Sequence, residues 1–230
     1  LQLEIQTQPL WTTLMSLPYL MEFPHECAEQ TFARYFGNVL ARKIIQNNPE
    51  FRQIIELWKQ DDPKAFMAQL DKNPELKAII LSETPWVMDA QNETQQRAHL
   101  AVLFDENQLN EAIRQALAKL EDLKTFEGAW GWFGKESSNV YITQHIISGF
   151  GQLKELGIDE DASIVNAALA HLDAWYEAQY KKLTPADKKV NAGLSDLTIH
   201  WLTARSYFTN EKPEAVTYYR QCMEKNWKSY

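Results

Sequence analysis

The sequence predicts an all-α chain built from antiparallel helix pairs. Two observations carry that prediction. From Ala28 onward nearly every segment repeats its apolar residues at steps of three and four. The breaks between segments are short and carry Asn, Asp, Pro or Gly. The opening Leu1-Gln2-Leu3-Glu4-Ile5 alternates apolar and polar, which suits a short N-terminal strand.

After that strand, Pro9-Leu10-Trp11 leads into an apolar segment through Leu20, and Pro24 forbids a helix interior ahead of Cys27. Phe32, Tyr35, Phe36, Val39, Leu40 and Ile44 mark one face of a first long helix, which Asn47-Asn48-Pro49 stops. A second helix is expected from 50 to 60. Asp62-Pro63 and Asn73-Pro74 open the next two, since proline fits a first helical turn. Ser82-Glu83-Thr84-Pro85-Trp86 is a break, and Asn92 can cap a helix carrying Ala98, Val102 and Leu103. Asn107 or Gln108 starts the following one, with Leu109, Ile113, Leu117 and Leu120 at helical spacing.

The glycine-rich segment Gly128-Ala129-Trp130-Gly131-Trp132-Phe133-Gly134 precedes a helix expected over 140–156, with Gly157 as its C-terminal cap. A long helix is expected over 159–180, with Ile164, Ala168, Leu172 and Trp175 along one face. A polar linker over 181–191, a helix over 194–208 and a last helix from Pro213 complete the chain. Between them these elements make about nine or ten helices joined mostly by short loops.

Composition narrows the function. The chain of 230 residues is 45% hydrophobic, enough for a substantial core. Its net charge of −8 argues against a nucleic-acid binder, whose affinity comes from clustered basic groups. No apolar run is long enough to span a bilayer. Five histidines, at 25, 99, 145, 171 and 200, include no His-x-x-x-His pair, and no Cys-x-x-Cys is present, so neither a metal nor a cofactor is expected. Two cysteines, Cys27 and Cys222, do not make a disulfide scaffold.

The chemistry concentrates at Cys27-Ala28-Glu29-Gln30. At the start of a helix, residues three apart lie on one face. The Cys27 sulfur can therefore condense with the Gln30 side-chain carbonyl, expel ammonia and leave an internal thioester. Unpaired N–H groups at a helix N-terminus favour negative charge on sulfur and make it a good leaving group. An amine or hydroxyl that attacks the Gln30 carbonyl frees the Cys27 thiol, once per chain. Such a bond needs shelter from water. Phe23, Phe32, Tyr35 and Phe36 flank the motif in sequence, and Trp130, Trp132 and Phe133 of the glycine-rich loop are a second candidate cover.

The run Phe23-Pro24-His25-Glu26-Cys27-Ala28-Glu29-Gln30-Thr31 resembles the thioester signature of the alpha-2-macroglobulin and complement family. Leu17-Pro18-Tyr19-Leu20-Met21, Arg34-Tyr35, Glu83-Thr84-Pro85-Trp86-Val87 and the Gly128–Gly134 loop with Tyr141-Ile142-Thr143 are similar to segments of its large bacterial members. The resemblance implies an α/α toroid whose inner and outer helices alternate around a barrel, here incomplete. It divides the chain into a lead-in over 1–22, from a preceding β domain, and a C-terminally truncated thioester domain over 23–230. It implies a broad-spectrum endopeptidase inhibitor that traps proteases through their surface lysines and does not turn over as an enzyme does. The other domains of the parent protein are expected partners, and the periplasm or outer envelope, with or without a membrane anchor, the expected location. Some relatives use a downstream histidine to direct the acyl group toward hydroxyls, and His200 falls at a comparable distance.

Two further readings stand beside it. The domain could bind partners without a thioester. Alternatively, α/α toroids host glycosidases, terpene cyclases and prenyltransferases. For a glycosidase the candidate acids are Glu127, Glu136 and Asp196.

Overall fold

In a computed structural model the described residues are 9–22, 27–59, 100–101, 103–135, 137–158, 161–189, 193–208 and 213–226. They are mostly helical, and no strand occurs among them. The expected strand over 1–5, and the helices expected to open at Pro63, Pro74 and Asn92 before residue 100, lie outside the described residues. The chain divides into two compact units, residues 1–25 with 33–118, and residues 26–32 with 119–230.

In the first unit the apolar segment after Pro9 folds as two short helices, α1 (Pro9–Ser16) and α2 (Pro18–Met21). Trp11, Leu14, Met15 and Met21 join a core with Ile44, Phe51, Ile55, Phe104 and Leu109, and the Trp11 and Phe51 rings meet edge to face at 4.9 Å. Helix α3 (Ala28–Asn47) ends where the asparagines predict. Its last turn gives way directly to α4 (Pro49–Lys59), with proline at the first helical position. The Asn48 side chain donates to the Ile44 carbonyl at 2.6 Å, which satisfies one of the orphan carbonyls of the α3 end.

Helix α5 (Glu106–Asp122) starts earlier than expected. Asp105, not Asn107 or Gln108, caps it: one carboxylate oxygen accepts from the Asn107 and Gln108 N–H groups at 2.9 and 3.2 Å.

The second unit is organised on α6 (Val140–Glu155), which is buried over most of its circumference, as a helix surrounded by protein must be. Asn139 caps its start, its side-chain oxygen accepting from the Ile142 N–H at 3.1 Å. Its end is a Schellman turn. Gly157 sits at φ +72°, its N–H donates to the Lys154 carbonyl, and the Ile158 N–H donates to the Leu153 carbonyl at 2.9 Å.

Helices α7 (Asn166–Lys182) and α9 (Asp196–Ser206) pack on α6, and α10 (Glu214–Asn226) packs on both α7 and α9. The helix expected from 159 begins instead with a 3₁₀ turn, Ala162–Val165, before α7 takes over. Its buried stripe is Val165, Ala168, Leu169, Leu172 and Tyr176, so Trp175 lies on the exposed flank and Tyr176 takes the inward place. The polar linker contains a single exposed turn of helix, α8 (Pro185–Lys189), started by its proline.

A buried polar network ties α9 to its neighbours. Arg205, 1% exposed, donates to the Asp173 carboxylate at 3.0 Å and to the Phe208 carbonyl at 2.9 Å, while the Trp201 indole donates to the other Asp173 oxygen at 3.2 Å. Burial raises the Asp173 carboxyl above its ordinary value, against the opposing pull of Arg205. Asp173→Ala removes the carboxylate that faces a buried guanidinium. It is expected to destabilise the protein by about 3 kcal/mol, measured by urea unfolding.

Candidate functional site

Cys27, Gln30 and Thr31 belong to the second unit with the glycine-rich loop, α6 and α9. Cys27 occupies the N-cap position of α3. Its carbonyl accepts from the Thr31 N–H at 2.9 Å, and its sulfur lies 3.5 Å from the Gln30 nitrogen, an N–H···S contact. Cys27 is 3% exposed and not in a disulfide. Residues 23–26, including Phe23, Pro24 and His25, lie outside the described residues.

Gln30 brings the second half of the site onto the same turn. Its side-chain oxygen is buried and has no hydrogen-bond partner among the described residues. The buried hydroxyl of Thr31 has none either. An amide oxygen stranded in this way costs about 1–3 kcal/mol. A thioester carbonyl is a weaker acceptor than an amide and loses less in the same place.

The glycine-rich loop reaches this turn through its backbone. The Ala28 N–H donates to the Trp132 carbonyl at 3.1 Å, which satisfies one of the orphan donors at the α3 start. Trp130 fixes the loop from the other side. Its N–H donates to the Thr143 hydroxyl at 3.0 Å, that hydroxyl donates to its carbonyl at 2.9 Å, and its indole donates to the Leu120 carbonyl at 2.9 Å. Gly131 between the two tryptophans is required by space. A Cβ there would lie 2.3 Å from the Ser137 carbonyl oxygen, a backbone atom that cannot swing aside. Of the three expected cover residues, Trp130 is buried, Trp132 is partly exposed and Phe133 is largely exposed.

Phe32 is the aromatic of α3 that packs in this unit. Its ring meets Phe150 at 5.3 Å and the edge of His145 at 6.0 Å, and it lies over Gly149, where any side chain would collide with it. His145 stacks at 6.3 Å on Tyr141, one turn earlier on α6, and Tyr141 stacks at 6.5 Å on Trp132. Tyr141 also meets the ring of His200 at 6.0 Å.

His200 is placed by anchoring the start of α9. Ser195 caps that helix, and the Leu197 carbonyl accepts from the Gln144 side chain at 3.1 Å and from the Tyr176 hydroxyl at 2.9 Å. Desolvation by burial, then the neighbouring His145, hold the His200 imidazole below its ordinary value. His145 and Tyr141 form ring contacts with Phe32, Trp132 and His200 that sequence spacing did not single out. The signal available was their i, i+4 relation directly after the glycine-rich loop.

The carboxylates considered for a glycosidase are dispersed in character. Glu127 and Asp196 are exposed, Asp196 as a first-turn acid of α9, and Glu136 lies outside the described residues. Among the described residues no cluster of three His, Cys, Asp or Glu side chains is arranged to hold a metal, and no helix is long and apolar enough to cross a membrane. Comparison with family models, curated proteins and solved structures found no match.

Two outcomes are expected. Gly131→Ala forces the loop away from Ser137 and lowers stability by about 2 kcal/mol, read from thermal or urea unfolding. His200 gives a pH signature with a defined sign. Its folded value lies below the ordinary 6.5, so the unfolded chain takes up the proton more readily. The stability it contributes is complete above 6.5 and is lost as pH falls through the folded value. His200→Gln should therefore flatten the fall in melting temperature on acidification. An unchanged pH profile would contradict the assignment.

Proposed function

We propose that this chain is a thioester domain of the alpha-2-macroglobulin and complement type, an α/α toroid serving a covalent, single-use protease trap. The observation that carries the reading is the first turn of α3. A buried thiol at the N-cap and a buried side-chain carbonyl without a donor occur three residues apart on one helix start. In forming the bond, the Cys27 sulfur adds to the Gln30 side-chain carbonyl carbon, the C–N bond breaks and ammonia leaves. In the trapping step an amine adds to the same carbon, the C–S bond breaks and the Cys27 thiol is released. The acyl group ends on the attacking nitrogen as a stable amide, so the chain acts once and has no turnover.

The helical packing supports the toroid part of the proposal. Helix α6 is buried over most of its surface while α7 and α10 keep solvent faces, as inner and outer helices of such a ring do. The target class follows from the chemistry. Surface lysines of a protease supply the amine, and the trigger that exposes the bond belongs to the rest of a larger parent protein in the periplasm or outer envelope. His200 is the candidate for the downstream histidine that directs the acyl group toward hydroxyls. Its lowered proton affinity keeps it neutral at physiological pH and so able to accept a proton.

Isotope-labelled methylamine tests the reading. The label should appear on Gln30 in stoichiometric amount, with a free thiol titrating at Cys27 in step. Cys27→Ala should abolish incorporation. A wild-type chain that takes up no label, with Cys27 titratable from the outset, would overturn it.

A further inference from the structure

The second unit holds a cavity of about 290 Å³, lined from the end of α7, the turn into α9 and the middle of α10. One side of it is aromatic. Trp175 and Tyr176 come from α7 and Tyr219 from α10, and Trp175 meets Tyr176 edge to face at 4.7 Å. The Ser195 and Thr198 hydroxyls of the wall are already engaged in capping α9, and the Tyr176 hydroxyl donates to the Leu197 carbonyl.

Helix packing accounts for the Tyr219 ring but not for its hydroxyl. The residue is 2% exposed, and its ring meets Tyr218 at 5.0 Å, Trp201 at 6.3 Å and Tyr176 at 6.5 Å. A phenylalanine would fill that space equally well. A buried tyrosine hydroxyl ordinarily has a hydrogen-bond partner, and this one has none among the described residues. It lies at the cavity: a Cβ on Gly193, another wall residue, would come within 3.2 Å of the hydroxyl oxygen. Burial pushes the Tyr219 hydroxyl above its ordinary value, which keeps it a neutral donor.

Gln179 and Lys182, three residues apart on α7, line the same cavity, and neither side chain has a partner among the described residues. A lysine in a last helical turn is favoured by the helix dipole, but Lys181 already stands there, paired with Glu177 at 3.4 Å. Among the described residues of the wall, Lys182 is the one charged group, in a chain whose net charge is −8. An ammonium, an amide and a hydroxyl thus face one aromatic cavity with no carboxylate to neutralise them. A neutral ligand rich in hydroxyls would need acceptors that this wall lacks.

We propose that this cavity binds a small carboxylate with a flat apolar body, an arylalkanoic acid in chemical class. The body covers the Trp175 and Tyr176 rings, and the carboxylate accepts from the Lys182 ammonium and the Tyr219 hydroxyl. Hydrogen bonds to an ionised group are about twice as strong as neutral ones, which selects the acid over an uncharged analogue of the same shape. The volume stands at the small end of ligand sites and suits a body of one ring.

Equilibrium dialysis of the full chain against 3-phenylpropionate and 3-phenylpropionamide tests this. The acid should bind one to one, and the amide about tenfold more weakly. Lys182→Gln should weaken the acid about tenfold and leave the amide unchanged, which also shows that the cavity is intact in the variant. Tyr219→Phe keeps the ring in the core and should weaken the acid about tenfold too. Trp175→Ala should weaken both ligands. No retention at millimolar acid would overturn the proposal. So would acid and amide that bind alike, a Lys182→Gln variant that loses both equally, or a Tyr219→Phe variant as tight as wild type. Neither result bears on the Cys27–Gln30 bond.

Discussion

The second unit depends on the reciprocal hydrogen bonding between the Trp130 backbone and the Thr143 hydroxyl. Thr143 is fully buried in the second turn of α6, so its hydroxyl has no water to fall back on and must be satisfied by protein. Trp130 meets both needs of that hydroxyl, as acceptor and donor. That pins an otherwise irregular, glycine-rich loop to a rigid helix. Gly131 then turns the chain through a space that no Cβ can enter, and the next residue presents its carbonyl to the Ala28 N–H. The start of α3 is thus positioned by a loop whose own position is set by α6.

The first turn of α3 carries two features that make little sense as ordinary core. A cysteine replaces the usual Ser, Thr, Asp or Asn at the N-cap, and its sulfur is a weak acceptor for the N–H it faces. The Gln30 oxygen and the Thr31 hydroxyl are buried with no partner among the described residues. Unpaired buried polar groups are uncommon because each costs free energy, and two of them are adjacent in this turn. A bond between the Cys27 sulfur and the Gln30 carbonyl carbon would leave that oxygen in place as a thioester carbonyl, a weaker acceptor that loses less there.

Much of this was legible in the sequence where the signal was local. The end of α3 at Asn47, the start of α6 after Asn139 and the Gly157 turn follow from capping and backbone rules that act within a few residues. The cap of α5 was misjudged because 105–108 are four polar residues in a row, and propensity cannot rank them; geometry chose Asp105. Trp175 and Tyr176 were exchanged because the preceding 3₁₀ turn shifts the phase of the buried stripe. The spacing of Cys27 and Gln30 placed both on one helix start, and there they lie. The ring contacts of His145 and Tyr141 were not legible, because they are made with residues more than a hundred positions back and more than fifty ahead in the chain, at Phe32 and His200.

The intact mass of the freshly purified chain under non-reducing, denaturing conditions tests the central claim most directly. The account predicts a mass lower than that of the sequence by one ammonia, with the deficit absent in Cys27→Ala. A wild-type chain at the full mass of its sequence, with Cys27 freely titratable, would contradict it.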